Sequence, residues 1–355
     1  NKGTEKSFQF LFRALYNTDA LLFDTSDVVL RASDGKWIVS KSLKINSADP
    51  NWLLINNLRL FGETTKSYAT VDYSSIVGSY DSTIYNSKNS TILGGRENRV
   101  YGGGYMTCES AIVAGCYNTM CCGIYSSVIV GGDRNRLTYY SGCSAIVAGY
   151  NNYMCCGNYS SAIVAGQCNA IYCNSCNSSV VGGCCNTINY YSCNSSILGG
   201  YENLVCCSCF STVIGGCSNK IYGNGISVGM GGGNSIVAGS CNSIQIGSDY
   251  SSIFGGFQNI IESNNRFSSI VAGYNNVIVD LMVVGYSWIG AGDFNVVNGS
   301  HSTIICGTSN YNSQNYSIIG TGQSNYIAKS PNSDQSSSAI VAGVQNSIIN
   351  NYFYD

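Results

Sequence analysis

From about residue 74 onward, pairs of apolar residues alternate with polar turns in a fixed cadence, and that cadence predicts the fold. A Gly followed three residues later by Asn recurs at Gly95, Gly115, Gly132, Gly149, Gly166, Gly183, Gly200, Gly216, Gly239, Gly256, Gly273, Gly292, Gly307, Gly322 and Gly343, with a degenerate copy centred on Ser79. Five successive spacings between Gly115 and Gly200 are 17 residues, and elsewhere they run from 15 to 23. The third residue before the Gly is Ile or Val in all fifteen copies, the next is large and apolar in thirteen, and the fifth residue after the Gly is apolar in fourteen. Each unit therefore supplies two short strands, roughly SxIVAG and NxI, joined by turns centred on Gly and Asn. A short period of this kind marks a solenoid. The expected fold is all-β: a parallel β-solenoid or β-roll of about 16 short coils, each about 17 residues long.

Successive side chains on a strand point to opposite faces, so adjacent large apolar residues cannot both enter the interior of one coil. Ile112 with Val113, Ile146 with Val147, Ile163 with Val164 and Val180 with Val181 are such pairs. One member of each pair should face outward, and stacking the coils draws those members into an apolar stripe. A soluble monomer seldom leaves such a stripe bare. Identical chains packed about a common axis would cover it, so these eight residues are expected to form the core and the contact stripe of a homotrimer. With coils about 4.8 Å apart, sixteen of them make a shaft of about 75 Å.

Composition sharpens this picture in three ways. Charge is concentrated at the start, with 17 of the 36 Asp, Glu, Lys and Arg residues in positions 1 to 72. That region is expected to be a small α+β adaptor, because Phe8, Leu11, Phe12 and Leu15 share one helical face; residues 73 to 355 form the repeat shaft or head. The net charge is −2 and no Lys/Arg cluster forms a stripe, which argues against nucleic acid as a partner. No apolar run reaches eighteen residues, so membrane insertion is not expected, and no signal peptide is visible.

Units such as SSAIVAGQCNAI and SSIVAGYNNVI, over residues 74 to 349, resemble the β-roll of YadA-like trimeric adhesin heads, a repeat also found in phage tail fibres. The opening stretch NKGTEKSFQFLFRALYNTDALLFDTSDVVLRASDGKWIV resembles the start of virion structural proteins of contractile-tailed phages, whose related segments attach to baseplate or tail components. The resemblance implies a virion tail or baseplate location, with residues 1 to 72 docking onto other virion proteins and the solenoid extending as a fibre or spike. The alternative is a trimeric adhesin on a bacterial cell surface that binds glycan or protein. Such an autotransporter is expected to end in a membrane-anchoring barrel, whereas this chain ends in NNYFYD.

Chemistry is sparse. His301 is the only histidine, so a Ser/His/Asp or Cys/His constellation has one candidate at most. Glu109, Asp133, Glu202, Asp249, Glu262, Asp280 and Asp293 are scattered singly along the solenoid, which argues against a carboxylate pair for glycoside cleavage. The GMGGG of Gly229 to Gly233 lacks the Lys of a phosphate loop. No enzyme activity and no cofactor are expected.

Eighteen of the nineteen cysteines lie between Cys108 and Cys241. Cys156 with Cys173, Cys176 with Cys193 and Cys168 with Cys185 fall at equivalent places on neighbouring coils. Cys is read as a small hydrophobe at turn and core positions, with rung-to-rung disulfides as the alternative, since stacked α-carbons about 5 Å apart lie inside disulfide range. Cys173 and Cys176 have CxxC spacing but lack a matching second pair, so no metal site is expected. Tyr139 with Tyr140 and Tyr190 with Tyr191 occupy one coil position. They either stack as a ladder or supply contact surface for a host glycan or protein.

Overall fold

A computed structural model of the protein describes residues 68–69, 74–102, 107–224, 232–279, 285–328 and 337–349. The expected adaptor helix around Phe8 to Leu15 lies outside the described residues. The described chain is all-β. Sixteen two-residue strands, from Ser75–Ile76 to Ala339–Ile340, form one parallel sheet; strands of two or three residues, from Tyr68–Ala69 to Ser347–Ile349, form a second of seventeen. The chain visits the two sheets in turn and climbs through about 15 turns. Tyr68–Ala69 already pairs in parallel with Thr83–Ile84, so the ladder begins within the first 72 residues.

Register follows the repeat. Ala145 pairs with Ala162 and Ile146 with Ile163 in the first sheet, while Tyr153 pairs with Ala170 and Met154 with Ile171 in the second. Within each strand one residue points in. Ile112, Ile129, Ile146, Ile163 and Val180 from the first sheet meet Met120, Leu137, Met154 and Ile171 from the second, all fully buried. Each coil thus contributes two apolar side chains to a thin continuous core. Asn312 is the exception in the second column: it is fully buried, and its Nδ2 donates to the carbonyls of Thr303 and Ser317.

Polar ladders line the turns on either side of this core. Asn152 receives a backbone N–H from Asn169 on its side-chain oxygen (3.0 Å), and its Nδ2 donates to the carbonyls of Ala148 (3.1 Å) and Gly166 (3.0 Å). The same arrangement repeats in neighbouring coils, for example at Asn135 and Asn169. On the opposite turn, Ser144 Oγ accepts from the Ser161 N–H, and Ser161 Oγ accepts from the Ser178 N–H. These side chains satisfy backbone groups that the tight turns would otherwise bury without partners.

The turns also reverse the direction of the backbone bonds. Strand N–H groups donate to the following coil, as Thr119 does to Asn135, whereas left-handed turn residues donate to the preceding one, as Tyr117 does to Arg96. That local gain offsets the steric cost of positive φ in residues as bulky as Tyr139 and Tyr140. On the Gly-bearing turn Arg96 lies between Tyr80 and Tyr117, and Arg134 between Tyr117 and Tyr150, at 5.2 to 5.9 Å from the ring centroids.

Asn152→Ala removes three hydrogen bonds and strands a buried N–H on Asn169. A loss of about 2–4 kcal/mol is expected, read by guanidinium unfolding together with accelerated hydrogen exchange at the Asn169 amide.

Candidate functional site

The outer face of the sixteen-stranded sheet is the most distinctive surface of the molecule. Alternation along each strand decides its composition. Ser144 and Ile146 point inward and are buried, so Ala145 and Val147 must point outward. Of the paired residues singled out in the sequence, Ile112, Ile146, Ile163 and Val180 are interior. Val113 is half-exposed, while Val147, Val164 and Val181 are 38%, 39% and 44% exposed. Leu93, Val130, Leu198, Ile214, Phe254, Val271 and Ile305 continue that outward row at 39 to 51%.

Two flanking rows make the face flat. The residue just before each repeat Gly is Gly or Ala in thirteen of fifteen copies. A Cβ built on Gly131, Gly182, Gly199, Gly215 or Gly255 would meet nothing within 4 Å, and none of these five has the positive φ that demands glycine. No steric contact within the chain therefore demands their smallness. The other flank is mostly Ala, Ser and Thr, as at Ala111, Ala145, Ala162, Ser179 and Ser196. None of the three rows contains a charged residue.

Tyr139 and Tyr140 are 52% and 40% exposed, and Tyr190 and Tyr191 are 50% and 46% exposed. Both pairs sit in left-handed turns after strands Arg136–Thr138 and Thr187–Asn189. Cys156 with Gly157 and Cys173 with Asn174 hold the same positions in the two coils between them, so the pairs do not stack on each other. The structure builds its aromatic ladder elsewhere. Tyr250, Phe267, Tyr286, His301 and Tyr316 stack in order, with centroids 4.7 to 5.2 Å apart and planes within 22°. Mixed ring types hide this column in the sequence; its signal is the shared position at the left-handed residue of that turn. Rings stacked in this way spend their faces on one another and turn their edges to solvent, so His301 serves as a rung.

All nineteen cysteines are free. Burial is the first cause that raises most of the perturbed thiols: Cys121 and Cys206 to about 12, and Cys156 to about 11. Cys185 reaches about 11 chiefly through its bond with Cys184. Such thiols stay protonated at neutral pH and are weak nucleophiles. Among the described residues, no group of three or more His, Cys, Asp or Glu side chains is placed to hold a metal ion, and no helix is long and apolar enough to cross a membrane.

No protein-family model matches this chain, and no curated protein matches it. The surface itself therefore carries the functional reading. Two grooves on the second sheet are lined by Arg136, Tyr153 and Tyr172 and by Arg99, Tyr101 and Thr119. What the arrangement can do is associate over a long flat face.

Proposed function

We propose that this protein is a structural subunit of an elongated fibre or spike, formed by three copies packed side by side through the outer face of the sixteen-stranded sheet, and that it does no catalysis. One observation carries the reading: an uncharged row of Val, Leu, Ile and Phe, from Leu93 to Ile305, stands in solvent along nearly the whole shaft. Burial of apolar area is worth roughly 25 cal/mol per Å2, so a row repeated at every coil supplies a strong and cumulative drive to associate. A partner of matching axial period suits it best, and another copy of the chain has that period by construction.

The resemblance of the opening forty residues to contractile-phage virion proteins supports a tail or baseplate-attached fibre, with residues 1 to 72 as the attachment segment. In this reading the function is reach and rigidity. A second reading, a cell-surface adhesin, is favoured by the protruding Tyr139, Tyr140, Tyr190 and Tyr191, which offer amphipathic contact area to a glycan or protein.

Sedimentation equilibrium of the purified chain tests the assembly. Three times the 37.8 kDa chain mass is expected, with negative-stain images showing a rod of about 70 Å from coils about 4.8 Å apart. A folded monomer at micromolar concentration overturns the proposal.

A further inference from the structure

The cysteines do not merely fill space; three of them form a column. Cys176, Cys193 and Cys209 occupy the same turn position on three successive coils. The backbone fixes this register: Asn194 N–H donates to the Cys176 carbonyl and Phe210 N–H to the Cys193 carbonyl, both at 2.9 Å. The thiols point along the same edge. Each Sγ contacts a carbonyl of the preceding coil, Gly157 for Cys176 (3.5 Å), Asn174 for Cys193 (3.2 Å) and Tyr191 for Cys209 (3.0 Å). Cys193 lies close enough to both neighbours to exchange side-chain hydrogen bonds with each. Parallel coils stand about 4.8 Å apart, inside the 4.4–6.8 Å range that a disulfide requires between α-carbons.

We propose that Cys176, Cys193 and Cys209 form a migrating disulfide site, in which Cys193 bonds to either neighbour and the third thiol drives exchange between the two states. The oxidant is a low-molecular-weight disulfide such as oxidised glutathione. A Cys193 thiolate attacks it and releases one glutathione thiolate. The neighbouring Cys thiolate then attacks the mixed disulfide and releases the second, so two protein thiols are oxidised while one disulfide is reduced to two thiols, which take up the two protons. Migration needs no further oxidant. With Cys176 bonded to Cys193, the Cys209 thiolate attacks the Cys193 sulfur, the new bond forms, and Cys176 leaves as thiolate and takes the proton.

The column suits this chemistry because thiolate attack proceeds along the axis of the breaking S–S bond. The three thiols sit on successive coils, with Cys193 between its two neighbours and interacting with both. Elsewhere the runs are two coils long: beyond Cys156 and Cys173 the column continues as Tyr139 and Tyr190, beyond Cys168 and Cys185 as Asn151 and Glu202, and the third thiol at each, Cys155 or Cys184, is a chain neighbour within one coil. Burial raises the Cys176 and Cys193 thiols above their ordinary range, and for Cys193 the bonds from Cys176 oppose the shift while Cys209 adds to it, so exchange at neutral pH runs through a minor thiolate fraction.

Peptide mapping of the full chain tests the idea, after incubation with oxidised glutathione, acid quench and alkylation. In the unsubstituted protein both the Cys176–Cys193 and Cys193–Cys209 bridged peptides are expected. Cys176→Ser should leave only the second, Cys209→Ser only the first, and Cys193→Ser neither. Ser is compatible with this turn, since Ser300 holds the same column position, and an unchanged circular-dichroism spectrum is the check that each variant folds. A Cys176–Cys209 bridge overturns the proposal, because those residues are two coils apart. So does glutathionylation without internal bridges, or bridging that appears only between chains on a non-reducing gel.

Discussion

Gly149→Ala is expected to abolish cooperative folding of the central coils, with a cost above about 4 kcal/mol, the range reserved for changes that force the backbone to move. Gly149 has φ +102°, and a Cβ there would lie 2.2 Å from the Gly166 carbonyl oxygen and 2.4 Å from Asn152 Nδ2. Neither atom can retreat cheaply. The oxygen accepts the Tyr150 N–H and the Asn152 amide, so moving it breaks two ladders at once. Gly131→Ala is the matched control, because its Cβ would enter open space. The measurement is thermal and guanidinium unfolding of both variants. Equal midpoints would show that the two glycine columns do not differ as the structure requires.

This contrast also shows what the sequence could and could not reveal. The two strands per coil, the inward Ile column and the outward Val column were all legible, because each coil places them at a fixed offset from a visible Gly and strand alternation does the rest. The Asn column was legible as a position, but its work was not: the threefold bonding of Asn152 depends on turn geometry that residue order does not convey. The Ser of SxIVAG recurs just as plainly, yet Ser is so common in turns that its ladder was invisible as a ladder.

Misreadings have equally concrete causes. Cys209 belongs with Cys176 and Cys193 but follows Cys193 by 16 residues instead of 17, so a fixed period passes over it. The aromatic stack was sought among tyrosines, whereas the column from Tyr250 to Tyr316 mixes Tyr, Phe and His. Asn312 breaks the apolar column for a local reason, since its side chain bonds the carbonyls of Thr303 and Ser317 within the core. Expectations about residues 1 to 67 lie outside the described structure.

Charging the outward row should separate assembly from folding. In the double variant Val147→Lys, Val164→Lys, both side chains extend into solvent from an isolated chain, since Val147 and Val164 are already 38% and 39% exposed; outward positions of this kind usually shift chain stability by no more than about 0.5 kcal/mol each. At an interface between copies the same lysines would repeat around the axis with no acidic partner on the face, and burying an unpaired charge costs several kcal/mol. The expected result is a monomer by sedimentation with an unchanged β-sheet spectrum. A second substitution isolates the close approach implied by the small row. Gly182→Leu adds apolar surface, which strengthens any nonspecific hydrophobic clustering, but its side chain would occupy the space left open beside the strand. If copies meet there at short range, this variant also falls to monomer, whereas unchanged or tighter association would place the contact on another face.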